Sequence, residues 1–314
     1  MNIDPSLIPV VERYRAQWPV PGHELPLEEW RDRYERSVAA ARPQPAEGQI
    51  KGVDLTVGAM NVSIRIYRPP QAASRGGLVY FHGGGWVIGS VESHDDITAD
   101  IARDSGCVVA SVEYSRAPEQ RFPTAFNEGM DVLEWFGRHA AELGVDPQRL
   151  LVAGDSAGGN LSAALALACR EREISLAGQV LLYPCLDVDF TRASYLNGRT
   201  APFLTSDQME WFWDQYAPSP AARADRHAVP MRACDTHLSG LAPAFVTTAQ
   251  YDPLYDEGAQ YAARLKAAGV DVRYEPGPGL VHGYIRLRHV APGPGRIYRE
   301  MCDWLRERVT PADK

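Results

Sequence analysis

Apolar residues along this chain follow two spacings, and each change of spacing marks a boundary between predicted elements. Alternation with a period of two at 53–57 and 62–66 predicts a hairpin. Further along the chain, short apolar runs predict strands, and these lie at 78–81, 107–112, 150–153, 179–183, 244–248 and 270–274. Helical spacing predicts helices at 6–17, 27–41, 94–105, 126–143, 157–169, 254–268 and 295–308. Because strands and helices alternate, we expect an α/β fold with about eight strands in a mostly parallel sheet that is covered on both faces.

Two regions interrupt this alternation. The first 45 residues contain only helical segments, and the second segment carries Trp30, Tyr34 and Val38 on one face. Between about Cys185 and Leu241 the chain consists of short pieces with prolines and a cluster of aromatic residues. We expect both regions to lie outside the layered core.

Composition narrows the class of protein. The chain has 314 residues, of which 45% are apolar and 23% charged, and its net charge is −8. Such a charge offers no basic surface for nucleic acid or for an anionic membrane. The five cysteines are scattered and include no C-x-x-C pair, the N-terminus lacks a signal-peptide pattern, and no apolar run is long enough for a membrane span. We therefore expect a cytoplasmic protein with reduced thiols.

The most informative motif is Gly154-Asp155-Ser156-Ala157-Gly158, which lies between a predicted buried strand and an Ala- and Leu-rich helix. Strand, G-x-S-x-G and helix in this order are typical of the nucleophile elbow, in which a sharp turn exposes the serine hydroxyl. A glycine-rich helix C-cap or phosphate loop is the alternative, but neither of the usual phosphate-loop spacings is present. We interpret Ser156 as a candidate nucleophile.

A serine nucleophile needs an imidazole to accept its proton, and four histidines follow Ser156 in the chain. His282 lies in a Gly- and Pro-rich loop just after the last predicted strand, where parallel sheets place functional groups. His227 and His237 fall in the irregular region, and His289 lies in or beside a helix. His282 is therefore the predicted base.

The orienting carboxylate is predicted at Asp252, which follows the strand at 244–248 and precedes Pro253. An N-cap role is the alternative for this residue. Asp256 is the nearest rival, but one turn into the helix it is expected to point away.

Donors for a developing oxyanion are expected from His82-Gly83-Gly84-Gly85-Trp86 and from the N–H that follows the nucleophile. Consecutive glycines let backbone N–H groups converge on one oxygen. The predicted donors are Gly84, Gly85 and Ala157, with Gly83 as a further candidate. His82 is expected to brace the loop.

These motifs, together with EYSRAPE at 113–119, DPLYDEG at 252–258 and HGY at 282–284, resemble the hormone-sensitive-lipase family of α/β-hydrolases, and in particular its bacterial carboxylesterases with GDSAG. The resemblance covers nearly the whole chain. It implies the triad Ser156, Asp252 and His282. It also implies a helical cap built from 1–45 and 185–241, over a hydrolase core formed by 46–184 and 242–314. EYSRAPE departs from the YRLAPE of many relatives, which we expect to alter packing and not chemistry.

The expected activity is hydrolysis of short- to medium-chain acyl esters through an acyl-enzyme, with no metal or organic cofactor. Trp86, Trp211 and Phe212 are the candidate walls of the substrate pocket, and ordinary cap packing is the alternative for them. An amidase or formamidase and a lactone hydrolase remain alternatives, because the same triad serves all of them. A non-catalytic receptor on the same fold is disfavoured by His282. The final helix and last strand could support a homodimer, although nothing in the sequence requires one.

Overall fold

The computed structural model describes residues 2–42, 50–69 and 76–310. The strands are β1 (Val53–Val57), β2 (Val62–Tyr67), β3 (Gly77–Phe81), β4 (Val108–Glu113), β5 (Leu150–Asp155), β6 (Gly178–Leu182), β7 (Ala244–Thr247) and β8 (Val272–Glu275). The helices are α1 (Ile8–Gln17), α2 (Leu27–Ala41), α3 (Asp95–Ser105), α4 (Thr124–Arg138), α5 (Ala157–Glu171), α6 (Ala193–Asn197), α7 (Ser206–Tyr216), α8 (Pro220–Ala224), α9 (Asp235–Leu238), α10 (Tyr255–Ala267) and α11 (Pro292–Val309).

Within these residues the strands form one eight-stranded sheet in the order β1-β2-β4-β3-β5-β6-β7-β8. The pairs β1–β2 and β2–β4 are antiparallel, and every other neighbouring pair is parallel. β5 lies near the centre between β3 and β6, and all six of its residues are buried. The predicted α/β-hydrolase fold, with a mostly parallel sheet and flanking helices, is confirmed.

Alternate residues of the central strands belong to different apolar clusters, so both faces of the sheet are covered. Val79 of β3 packs in the cluster that contains Leu133 of α4. Its neighbour Leu78 packs in the cluster that contains Ile101 of α3 and Leu305 of α11. The carboxyl ends of the parallel strands are therefore left as the accessible edge at which loops can form a site.

The helix predicted at 126–143 is shorter than expected, because α4 ends at Arg138 and turns follow as far as Gly144. Ala140 and Leu143 are nevertheless buried against the core, which explains why their spacing looked helical. Gly144, with φ +75°, completes the turn.

The region between β6 and β7 contains α6 to α9 and longer connecting segments. The predicted boundary between residues 45 and 46 lies outside the described residues. Among the residues that are described, no helix is both long and apolar enough to cross a membrane.

Candidate active site

The turn from β5 to α5 places Ser156 at the carboxyl edge of the sheet. Its backbone has φ 56° and ψ −117°, a region that residues with a side chain rarely occupy. The Ser156 N–H donates to the Leu182 carbonyl at the end of β6, at 2.9 Å. The neighbouring strand thus holds the strained residue in place.

The two glycines of the motif are required by close approach of the backbone. A Cβ added at Gly158 would lie 1.9 Å from the Phe81 carbonyl oxygen. A Cβ added at Gly154 would lie 2.3 Å from the backbone of Gly158. Because these contacts are with backbone atoms, no side-chain movement could relieve them, and the turn needs glycine at both positions.

His282 lies between Ser156 and Asp252 and contacts both. Its Nε2 is 3.0 Å from Ser156 Oγ, and its Nδ1 is 2.7 Å from Asp252 Oδ2. Asp252 is 3% exposed, and its other oxygen accepts the Leu254 N–H at 3.0 Å. The buried carboxylate is thus fixed by its own loop, and the ring is fixed by the carboxylate.

The other candidates for the acid and the base lie elsewhere. Asp256 accepts the Ser194 N–H at 2.8 Å. His227 lies 3.3 Å from Glu171, His237 lies 2.9 Å from the sulfur of Cys234, and His289 lies 2.7 Å from Asp100. Of these candidates, His282 and Asp252 are the two that the structure brings to Ser156, from the loops after β8 and β7.

The loop after β3, residues 82–90, presents backbone N–H groups beside Ser156, and we name it the glycine loop. Gly84 and Gly85 have φ values of +125° and +57°, which glycine adopts without strain. In the part of the chain that the structure describes, the N–H groups of Gly84, Gly85 and Ala157 have no hydrogen-bond acceptor. Gly83 differs, because its N–H already donates to Asp155 Oδ1 at 3.0 Å. The three predicted donors are therefore available to a ligand oxygen, and Gly83 is not.

His82 is fully buried and braces this loop from behind. Its Nδ1 lies 2.9 Å from the Gly83 carbonyl, and its ring stacks on Tyr114 at 4.2 Å. Burial, with the neighbouring His94, lowers the pKa of His82 to about 3. The ring is therefore neutral near pH 7, and Nδ1 can donate to the Gly83 carbonyl.

Asp155 has a part in the site that sequence reasoning missed. Its buried carboxylate accepts from the Tyr80 hydroxyl at 2.8 Å and from the Gly83 N–H, which joins the elbow to the glycine loop. Burial raises the pKa of Asp155, but interactions with His94, Arg286 and Tyr80 outweigh burial and hold it well below its usual range. Its position next to Ser156 was the only available signal.

A cavity of about 330 Å³ reaches Ser156 and His282. α1, α2, α7 and the segment just before α7 supply its apolar walls, and we name α1, α2 and α7 the covering helices. These walls include Tyr14, Trp30, Phe203, Leu204, Met209 and Phe212. Phe212 is the one predicted wall residue that lines the cavity, and all three residues of the α2 stripe also line it.

The prediction for Trp86 and Trp211 requires correction. Trp86 is fully buried behind the glycine loop, where it stacks on Tyr216 at 4.1 Å and meets Trp213 at 4.7 Å. Trp211 packs on Trp30 at 5.4 Å and does not line the cavity. Neighbouring residues on a helix point about 100° apart, so Phe212 can line the cavity while Trp211 points to another side of α7.

The fold and the arrangement of Ser156, His282 and Asp252 define an α/β-hydrolase. A protein family described as alpha/beta hydrolase fold matches residues 78–286. The ethyl acetate hydrolase of Pseudomonas putida is 37% identical over 298 residues, which are 91% of this chain and 93% of that protein. The arylesterase of Saccharolobus solfataricus is 32% identical over 286 residues, again 91% and 93%.

Solved structures agree with these relatives. The chain is similar to a thermostable esterase from Pseudomonas putida, with a TM-score of 0.92, 32% identity and coverage of 99% of this chain and 98% of that one. An esterase from Pyrobaculum calidifontis gives a TM-score of 0.88 at 32% identity, with coverage of 99% and 100%. The chain belongs to the hormone-sensitive-lipase family of α/β-hydrolases, and the prediction of a carboxylic ester hydrolase is confirmed.

Proposed function

We propose that the chain hydrolyses short- to medium-chain carboxylic esters with Ser156 as nucleophile, His282 as general base and acid, and Asp252 as the orienting carboxylate. One observation carries the proposal. Ser156 Oγ, His282 and Asp252 form a hydrogen-bonded series with spacings of 3.0 and 2.7 Å, and the Ser156 end of this series lies in the wall of a cavity. A nucleophile and base within hydrogen-bonding distance, with the base oriented by a third group, are the requirement for acyl transfer.

The reaction then follows from these positions. His282 Nε2 accepts the Ser156 proton as Oγ attacks the ester carbonyl carbon, and the carbonyl oxygen becomes an oxyanion. The N–H groups of Gly84, Gly85 and Ala157 stabilise that charge. His282 returns the proton to the leaving alcohol, which leaves an acyl-enzyme. Water then attacks the acyl carbon with His282 again as base, and Ser156 is released with the carboxylic acid.

The size and lining of the cavity support the proposed acyl range. A volume of about 330 Å³ lies near the lower end of small-molecule sites. Phe212 packs over Gly85, where an added Cβ would lie 2.3 Å from its ring, so the apolar wall begins beside the proposed oxyanion donors. A small apolar space next to Ser156 favours acyl chains of a few carbons.

The proposal extends beyond the reaction to the location of the protein. Cys169, Cys185 and Cys302 are buried free thiols, which supports a cytoplasmic location. The alternative of a receptor without catalysis is disfavoured by the position of His282 against Ser156. Amides and lactones would use the same groups, so a direct comparison of substrates decides among them.

The test is a series of p-nitrophenyl esters from acetate to palmitate, run beside the matching anilides and a lactone. We expect the highest kcat/KM between acetate and hexanoate and much slower anilide and lactone cleavage. The Ser156→Ala variant, which keeps the fold, is the blank at each chain length. An optimum at palmitate, faster anilide or lactone cleavage, or full turnover by Ser156→Ala would contradict the proposal.

A further inference from the structure

Three consecutive residues of the glycine loop have positive φ values, and this conformation must be held from outside the loop. Gly84, Gly85 and Trp86 have φ values of +125°, +57° and +59°. For Trp86 this backbone conformation is strained, and strained residues persist only where their surroundings fix them. Inside the loop, the N–H groups of Val87 and Ile88 both donate to the Gly84 carbonyl. These bonds close the turn but do not fix its position relative to the rest of the molecule.

Arg31 of α2 makes one of the external attachments. Its Nε donates to the Val87 carbonyl at 2.9 Å, and one of its terminal nitrogens donates to the Ala117 carbonyl at 3.0 Å. Ala117 in turn donates its own N–H to the Trp86 carbonyl at 2.8 Å. The Arg31 guanidinium thus contacts the glycine loop directly at the Val87 carbonyl. It also contacts the loop indirectly through Ala117, whose N–H is bonded to Trp86.

The guanidinium is itself held rigidly. Glu119 accepts from both terminal nitrogens of Arg31, at 2.7 and 2.8 Å, so the pair is bidentate. The Arg31 side chain is only 11% exposed, although its partner Glu119 is half exposed. Burial and a fixed fork make Arg31 a stiff connection, which a flexible ammonium could not reproduce.

A second contact joins the same helix to the end of this loop. Glu35, one turn after Arg31, accepts from the Ser90 hydroxyl at 3.0 Å. α2 therefore has two polar attachments on the face that meets the glycine loop, while its apolar stripe lines the cavity.

We propose that Arg31 is a positioning residue for the oxyanion donors, acting from α2 through the Val87 and Ala117 carbonyls to fix the N–H groups of Gly84 and Gly85. This inference rests on the proposed esterase reaction. According to this inference, α2 affects the rate of ester hydrolysis and also covers the substrate. Since Arg31 does not line the cavity, its loss is expected to displace the donors and leave the cavity in place.

The experiment compares Arg31→Gln and Arg31→Lys with a matched control, Arg264→Gln. Like Arg31, Arg264 donates to two carbonyls and one carboxylate, which are the carbonyls of Met231, at 2.8 Å, and Ala233, and the carboxylate of Asp235, at 3.2 Å. It lies in α10 and does not line the cavity. Each variant is assayed for kcat and KM with p-nitrophenyl butyrate and for inhibition by an alkyl trifluoromethyl ketone, whose serine adduct carries an oxyanion. The unfolding temperature of each variant is measured alongside.

We expect Arg31→Gln to lower kcat by about 10- to 100-fold and to weaken the ketone by a similar factor, because small displacements of oxyanion donors are costly. KM should stay within about threefold of the wild type, and Arg31→Lys should fall between the two. Arg264→Gln should match the wild type in all three values. A kcat within twofold of the Arg264 control, or a loss of kcat without weaker ketone inhibition, would overturn the inference. If Arg31→Gln does not fold, Arg31→Lys is judged by the same criteria.

Failure of the proposed function gives a different result in the same experiment. A wild-type protein that neither hydrolyses the ester nor binds the ketone contradicts the esterase proposal itself. An active, inhibited wild type with an unaffected Arg31→Gln contradicts only the role of Arg31.

Discussion

The carboxyl edge of the sheet and the covering helices are organised by different rules. At the edge, Ser156, Asp252 and His282 each follow a strand, so the order of elements along the chain decides where they meet. In the covering helices, a residue reaches the cavity only if it lies on the inward face, as Phe212 does and Trp211 does not. The proposed chemistry therefore depends on local motifs, whereas the shape of the cavity depends on packing between distant segments.

The largest effect is expected at the edge, where Asp252 and Asp256 are four residues apart in one motif. Asp252→Asn removes the charge that holds the His282 ring and stabilises the imidazolium, and should lower kcat about 10⁴-fold. Asp256→Asn is the matched control, because Asp256 accepts the Ser194 N–H whereas the His282 ring contacts Asp252. The measurement is kcat for p-nitrophenyl butyrate. A greater loss in Asp256→Asn would mean that the orienting acid has been misassigned.

A smaller effect is expected on the stability of the folded protein, and it tests whether the His82 ring is shielded from water. The pKa of His82 is about 3 in the folded protein, and its ordinary value of 6.5 applies to the unfolded chain. Between these values the unfolded chain binds a proton that the folded chain does not, so stability falls as the pH falls through this window and is unaffected by His82 above it. From pH 8 to pH 5 the loss is about 2 kcal/mol.

Urea unfolding of the wild type and His82→Gln at both pH values isolates this contribution. The variant is expected to be less stable at pH 8, because it loses the stacking on Tyr114. Its loss between pH 8 and pH 5 should nevertheless be smaller than that of the wild type by about 2 kcal/mol. Equal losses in the two proteins would show that the His82 ring is protonated or hydrated in the folded state.

The smallest effect is expected in the covering helices, where Phe212 and its neighbour Trp211 on α7 should differ in their effect on substrate preference. Phe212→Ala enlarges the cavity beside Gly85 and should raise the ratio of hexanoate to butyrate hydrolysis by about tenfold, since each buried methylene contributes about 0.8 kcal/mol. Trp211→Ala is the control and should leave the ratio unchanged, because Trp211 packs outside the cavity. The ratio of kcat/KM values for the two p-nitrophenyl esters is the measurement. A shift in Trp211→Ala equal to that in Phe212→Ala would remove the distinction.

Much of the fold was predictable because strands, helices and turns have local signals. The bounds of α2 match the prediction of 27–41, and every predicted strand is present within a residue or two of its observed limits. The helix at 126–143 was overextended, because turns can bury apolar residues at the spacing of a helix. The α2 stripe of Trp30, Tyr34 and Val38 was recognised as an apolar face, but its partner could not be known without the packing of α7.

Some residues were predicted wrongly or not at all, and their positions depend on contacts between residues that are distant in the sequence. Trp86 directly follows Gly85 in the glycine loop, yet the backbone at Trp86 has a positive φ and its side chain is buried in the core. Asp155 and Arg31 belong to the site through bonds to Gly83 and Val87, which lie far from them along the chain. No spacing rule relates such pairs, so only the three-dimensional arrangement identifies them.

The most direct test of the central claim is covalent labelling with diethyl p-nitrophenyl phosphate, followed by mass spectrometry of the intact protein and its peptides. A serine activated by His282 and Asp252 displaces p-nitrophenolate from phosphorus and retains the diethylphosphoryl group. The prediction is one group per chain, located on the peptide that contains Ser156, and no labelling of Ser156→Ala under the same conditions. Labelling at another residue, or an unlabelled wild-type protein, would contradict the assignment of Ser156 as the nucleophile.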